Sequence, residues 1–176
     1  MEFRDESARR LFLMYALPCA PTLIRRGVAR RAKVNALISS VSSGKNVPEN
    51  AENIFSTALG LCKRLSLGAG KGKIRKSDIR KYFLFEHDKA IATRFRKFGD
   101  FDPEKCRTYP GKVLSVGRGF ASIATPRGTG KYRMDFIPVC TPLDYVVVHR
   151  NFAVEKISKS LSDRLWKSKA YIPGAA

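Results

Sequence analysis

The apolar spacing of this chain changes once, and that change limits what the chain can fold into. From residue 4 to about 98, hydrophobic side chains recur every three or four positions, the period of amphipathic helices. Gly99-Asp100-Phe101-Asp102-Pro103 then forms a turn-rich boundary. Beyond it come short β-like runs at Lys112–Val116, Phe120–Ala124, Tyr132–Ile137 and Tyr145–His149. Between them lie Gly117-Arg118-Gly119, Pro126-Arg127-Gly128-Thr129-Gly130 and Pro138 to Pro142. Short strands punctuated by glycine and proline predict a small closed or partly closed barrel. Ser158–Lys169 predicts a terminal helix with Leu161, Leu165 and Trp166 on its apolar face. The expected fold class is α+β, with a helical domain over residues 1–99 and a barrel plus C-terminal helix over residues 106–176.

Three helices are expected early on. The first covers residues 4–17, with Asp5 and Glu6 in its first turn and Leu11, Phe12, Tyr15 and Ala16 sharing a face. Pro18-Cys19-Ala20-Pro21 is expected to break it. A second starts near Thr22 with Ile24, Val28 and Ala32 on one stripe, and decays into Ser39–Gly44. A third starts near Pro48, carries Ile54, Ala58, Leu61, Cys62 and Leu65, and ends by Gly68. Gly68-Ala69-Gly70-Lys71-Gly72-Lys73 fits no phosphate-loop spacing and reads as a solvated connector. Ser77-Asp78 is a candidate N-cap for a helix through Tyr82, Phe83 and Phe85 that kinks or restarts at His87-Asp88 and runs toward Ile91, Phe95 and Phe98. His87 reads as a helix-surface or capping histidine.

The 34 basic and 15 acidic residues give a net charge of +19, distributed over both parts of the chain. Such a field attracts nucleic acid, anionic membrane or an acidic partner, and says nothing about fold. The four cysteines, Cys19, Cys62, Cys106 and Cys140, contain no C-x-x-C pair, which argues against a zinc ribbon or finger. Cys19 and Cys62 fall on apolar helical faces and read as core, and Cys140 has no assigned role. Arg9-Arg10 followed by Leu11 to Leu17 superficially resembles a leader, but Glu2, Asp5 and Glu6 precede it and Pro18 follows. No leader is expected, no apolar run approaches the roughly twenty residues of a membrane span, and the expected location is cytoplasmic.

Chemistry concentrates at the two ends of the β-rich stretch. Cys106-Arg107-Thr108-Tyr109-Pro110-Gly111-Lys112-Val113 opens it, and Asp144-Tyr145-Val146-Val147-Val148-His149 closes it. A thiolate and a neutral imidazole both ligate soft or borderline transition metals. Lys105, Arg107 and Lys112 flank Cys106 and are expected to favour its thiolate. The sharpest expectation is that Cys106 and His149 share one accessible pocket.

The ordered set of Cys106, Pro110, Gly111, Lys112 and Val113, then Asp144 to His149, Phe152, Ala153, Lys156 and Ile157, resembles the HypC/HupF family of nickel–iron hydrogenase assembly chaperones. Gly130-Lys131-Tyr132-Arg133-Met134-Asp135 is similar to the family's middle strand. The resemblance covers roughly residues 106–168. It implies an OB-like barrel and a non-enzymatic role: carrying iron dressed with cyanide and carbon monoxide, Fe(CN)2CO, from a HypD-type iron–sulfur scaffold to a hydrogenase large-subunit precursor. It implies Cys106 and His149 as iron ligands, no tightly bound cofactor, and Pro110, Gly111, Lys112, Arg133 and Phe152 as partner-binding positions. The family's cysteine is normally its second residue, whereas 105 residues precede Cys106 here.

The alternative of a different class is an RNA-binding barrel. Arg118-Gly119-Phe120-Ala121 matches the start of an RNA-recognition signature, and Ser122 then departs from it. Arg118, Phe120, Arg127, Lys131, Tyr132 and Arg133 would form its stacking and phosphate surface. An enzyme using Cys106 and His149 as nucleophile and base is not expected, because no orienting carboxylate is placed by the sequence; Asp135 or Asp144 would have to serve.

Overall fold

A computed structural model describes residues 2–94 and 103–169. The chain divides into two compact units, Met1–Cys106 and Arg107–Ala176. Helices make up the first, and a closed five-stranded sheet with a terminal helix makes up the second, so the α+β class holds. The division falls directly after Cys106, so the thiol expected to open the barrel belongs to the helical unit.

In the helical unit, α1 (Glu6–Ala16) starts on Asp5, whose Oδ1 accepts the Ala8 N–H at 2.8 Å. Asp5 is therefore the cap and not a first-turn residue, a placement that also sets its charge against the positive end of the helix. The prolines do not break the chain as expected. Leu17–Cys19 tightens into a 3-10 turn, and α2 (Ala20–Arg25) follows at once. Pro18 and Pro21 each sit in the first turn of their element, where a missing N–H goes unused. The single second helix expected from sequence is two: Gly27 adopts φ 71° after α2, and α3 (Arg31–Ser42) begins afresh. Its buried stripe is Val34, Leu37 and Val41, while Val28 is exposed and Ser39 to Ser42 remain helical.

A 3-10 turn at Ala51–Phe55 leads into α4 (Ser56–Gly68), which buries Leu59, Cys62 and Ser66. The Gly68–Lys73 connector is a loop as expected, and its Lys71 pairs with Asp78 at 2.9 Å. The next helix, α5 (Lys76–Lys81), has Asp78 as its third residue instead of its cap; Oδ2 reaches back to accept the Arg75 N–H at 2.9 Å. A π-helical turn, Tyr82–Glu86, joins α5 to α6 (His87–Arg94). Phe95, Phe98 and the boundary glycine at 99 lie outside the described residues.

The core of this unit is aromatic. Tyr15 stacks on Phe83 with centroids 5.0 Å apart, and Phe12 meets Phe3 at 5.4 Å and Phe83 at 6.0 Å. Arg9 is buried beside it. Its Nε donates to Glu52 at 2.9 Å, and the guanidinium also donates to the carbonyls of Val47 and Pro48. A buried guanidinium needs this many acceptors.

The second unit contains β1 (Thr108–Gly117), β2 (Phe120–Thr125), β3 (Gly128–Arg133), β4 (Tyr145–His149), β5 (Phe152–Ile157) and α7 (Lys159–Lys169). The strands close in the order β1-β2-β3-β5-β4, with Arg133 opposite Phe152 as the parallel closing pair. Two expectations need correction. The third strand is Gly128–Arg133 and not Tyr132–Ile137, because Pro126-Arg127 alone completes the turn, whose tightness Thr125 fixes by donating its hydroxyl to the Gly128 carbonyl at 2.9 Å. Phe152–Ile157 is a full strand that the sequence reading left without an element. Leu114 is extra in the β1–β2 register, a bulge that bends β1 from its pairing with β4 toward β2. Tyr109, Val113, Ala121, Ile123, Met134, Val146, Val148 and Ala153 fill the interior. Helix α7 packs on β1 and β4, burying Leu165 and placing Lys169 Nζ 2.8 Å from Thr108 Oγ1. Among the described residues no helix is long and apolar enough to cross a membrane.

Candidate metal centre

The helical unit gathers three soft donors that the sequence keeps far apart. Cys19 closes the 3-10 turn after α1, His87 opens α6, and Cys106 ends the 3-10 turn Pro103–Cys106, which packs on α6. Their ligand atoms all lie within 4.8 Å of one another, and the two sulfurs are 3.0 Å apart and form no disulfide. The three side chains line one cavity of about 250 Å³ together with Thr22, Arg26, Tyr82 and Ile91. A water occupies roughly 30 Å³ of liquid, so the cavity has room for an ion and small ligands. Cys106 is only 5% exposed, and it reaches that cavity instead of the open surface.

Local structure explains each placement. Pro18 sits in the first turn of the 3-10 segment that follows α1, and Cys19 at its end lines the cavity. The π-helical turn widens the backbone directly before His87, and such turns recur where a helix presents a functional group. His87 is buried against Tyr82 and Phe83, with ring centroids 5.4 and 5.3 Å away, and its Nδ1 is 3.9 Å from Asp88 Oδ1. The expectations of a core Cys19 and a surface or capping His87 are thus both corrected. Cys62 is core as expected, and burial pushes its thiol well above the usual range. Cys140 is also buried; burial first, then the Asp144 carboxylate, pushes its thiol up to about 11.

Cys106 and His149 fall in different units. His149 ends β4 opposite Thr108 and Phe152, and strand alternation sets it on the face of Thr108 and Val147, away from the sheet interior. It is fully buried. The positions expected to bind partners are mostly internal. Pro110 and Gly111 are buried in β1 and Lys112 is half-buried. Phe152 is buried and stacks on Phe136 at 5.2 Å. Arg133 is held by Asp135 at 2.6 and 2.9 Å and lies 4.6 Å over Phe152.

The basic–aromatic surface is assembled only in part. Phe120 is exposed with Lys131 Nζ 4.5 Å over its ring, and Arg133 is its cross-strand neighbour. Arg118 is exposed in the β1–β2 turn, and Arg127 sits 6.0 Å from the Tyr109 ring. Tyr132, one residue out of phase, pairs with Ala121 and packs on the interior, so it does not join the others. Asp144 anchors the entry to β4: its carboxylate pairs with Lys156 at 2.8 Å and accepts the Thr141 N–H at 2.8 Å, which hold the group well below the usual carboxylate range. It is tied up structurally and does not orient an imidazole. No protein-family model and no curated protein matches the chain.

Proposed function

We propose that the protein is an accessory chaperone of nickel–iron hydrogenase maturation, with an OB-like second unit and with Cys106 as the thiolate that takes the Fe(CN)2CO unit as cargo. The observation that carries this reading is the position of Cys106, whose sulfur meets a second thiol and an imidazole on the wall of a cavity large enough for a small metal complex. Low-spin iron with strong-field ligands suits a thiolate, and a neighbouring thiol can share or buffer its proton. The motif residues quoted above from 106 to 168 supply the hydrogenase context, with His149 as the imidazole that the resemblance adds. The partners are a large-subunit precursor and a HypD-type scaffold. The protein works by holding and handing over, not by turnover.

Affinity capture from a hydrogenase-producing host tests this. A tagged chain should retain a large-subunit precursor or an iron–sulfur scaffold, and Cys106→Ala should lose the iron while remaining folded. Retention of neither partner, or normal delivery by Cys106→Ala, overturns the reading. A second reading, RNA binding, draws on the +19 charge and on the Phe120–Lys131–Arg133 face. Its mark would be retained RNA whose affinity falls steeply with salt.

A further inference from the structure

We propose that Cys19, His87 and Cys106 together bind one soft or borderline divalent metal ion, zinc or ferrous iron, so that the helical unit supplies metal ligands of its own. The inference shares Cys106 with the function proposed above and rests on that reading only for the identity of the cargo; its geometry is independent.

Three arguments support it. The first is the donor set: two thiols and an imidazole are what zinc and ferrous iron select over calcium or magnesium, which want oxygen. The second is distance. Metal–sulfur and metal–nitrogen bonds of about 2.3 and 2.0–2.1 Å leave tetrahedral ligand atoms some 3.3–3.8 Å apart. Atoms already within 4.8 Å reach that arrangement by small side-chain rotations, with the sulfurs moving slightly apart from 3.0 Å. The third is economy of burial. One buried thiol, one partly buried thiol and a buried histidine, gathered from three distant elements, contribute little to packing that apolar residues would not, and here they face one cavity. Thr22, on the same wall, has a buried Oγ1 with no hydrogen-bond partner among the described residues, as expected where a further polar group or ion-bound ligand completes the site. Binding would release the thiol protons and leave a neutral Cys2His site, consistent with burial.

Cobalt(II) is the probe, titrated into the full reduced chain without oxygen. One ion should bind per chain, giving a thiolate-to-cobalt charge-transfer band of two-thiolate strength that zinc abolishes. Cys19→Ser should roughly halve that band and weaken binding at least tenfold. His87→Ala should keep the band's intensity per bound ion, shift the ligand-field absorption and weaken binding similarly. Cys19→His, which restores a ligand, should recover affinity while keeping the weaker band, and this separates lost ligation from lost folding. Cys62→Ala should leave the spectrum unchanged. Absence of a charge-transfer band in the folded wild type, or an undiminished band in folded Cys19→Ser, overturns the proposal. The two readings fail separately: cobalt binding without hydrogenase partners leaves this site and removes the chaperone role. Iron carried on Cys106 with Cys19→Ser and His87→Ala both inert does the reverse.

Discussion

Replacing Gly111 with alanine separates a structural glycine from a partner-contact glycine. A Cβ at this position would lie 2.4 Å from Ile123 Cγ2 and 3.2 Å from the Ala124 carbonyl oxygen. Ordinary contact begins near 3.4 Å, so the Ile123 methyl must retreat by about an ångström. It has little room, because Ile123 is fully buried among Val113, Ala121 and Val146. Overpacking of this kind costs about 1–3 kcal/mol. The lower chain entropy of alanine returns roughly 0.4–1 kcal/mol, leaving a net loss on the order of 1–2 kcal/mol. For a unit of this size that corresponds to roughly 4–16 °C in Tm. Trp166, the chain's one tryptophan, lies in α7, so its fluorescence during thermal unfolding reports on the second unit. An unchanged or raised transition would refute the packing argument. An unchanged transition with lost partner capture would make Gly111 a contact residue.

Three further outcomes follow from the geometry. Asp144 is held below its usual range first by Lys156 and then by the Thr141 N–H, so its stabilisation is complete above the unfolded carboxylate value of about 3.9 and fades as pH falls below it. Asp144→Asn should therefore flatten the decline in Tm below about pH 4, modestly because the partner lysine is solvent-screened; an unchanged acid slope would contradict this. Lys169→Ala leaves the buried Thr108 carbonyl and hydroxyl without their ammonium donor, and should lower second-unit stability by about 1–3 kcal/mol in urea unfolding; a shift within error would show that α7 docks without it. Thiol labelling of the native apo protein should modify Cys19 first and Cys106 through the cavity, sparing Cys62 and Cys140, whose burial keeps them protonated; early modification of Cys62 or Cys140 would contradict the assignment.

What the sequence displayed, and what it hid, follows from periodicity. The α1 helix is legible because the Leu11–Phe12–Tyr15 face acts locally, although Asp5, expected in its first turn, is its cap. The valine run of β4 was equally plain. The third strand was misplaced because Gly128 and Gly130 carry turn character that the β2 pairing overrides. The metal cluster was hidden for a different reason. Cys19, His87 and Cys106 are 68 and 19 residues apart in sequence, and only tertiary packing joins them. One local sign was present: Phe83, His87 and Ile91 recur at intervals of four, so the imidazole had to face the same way as two buried apolar side chains. Cys19 reads from sequence as a core residue on an apolar helical face, and the expected break at Pro18 conceals the 3-10 turn that brings it to the cavity wall.

The central claim is that the Cys106 sulfur carries the cyanide- and carbonyl-bearing iron. Infrared spectroscopy of the protein isolated from a hydrogenase-producing host reads this directly, since both diatomic ligands absorb where protein does not. Cyanide and carbonyl bands are expected in the wild type and should vanish in folded Cys106→Ala. Bands of equal strength in that variant, or none in the wild type under conditions where hydrogenase matures, would contradict it.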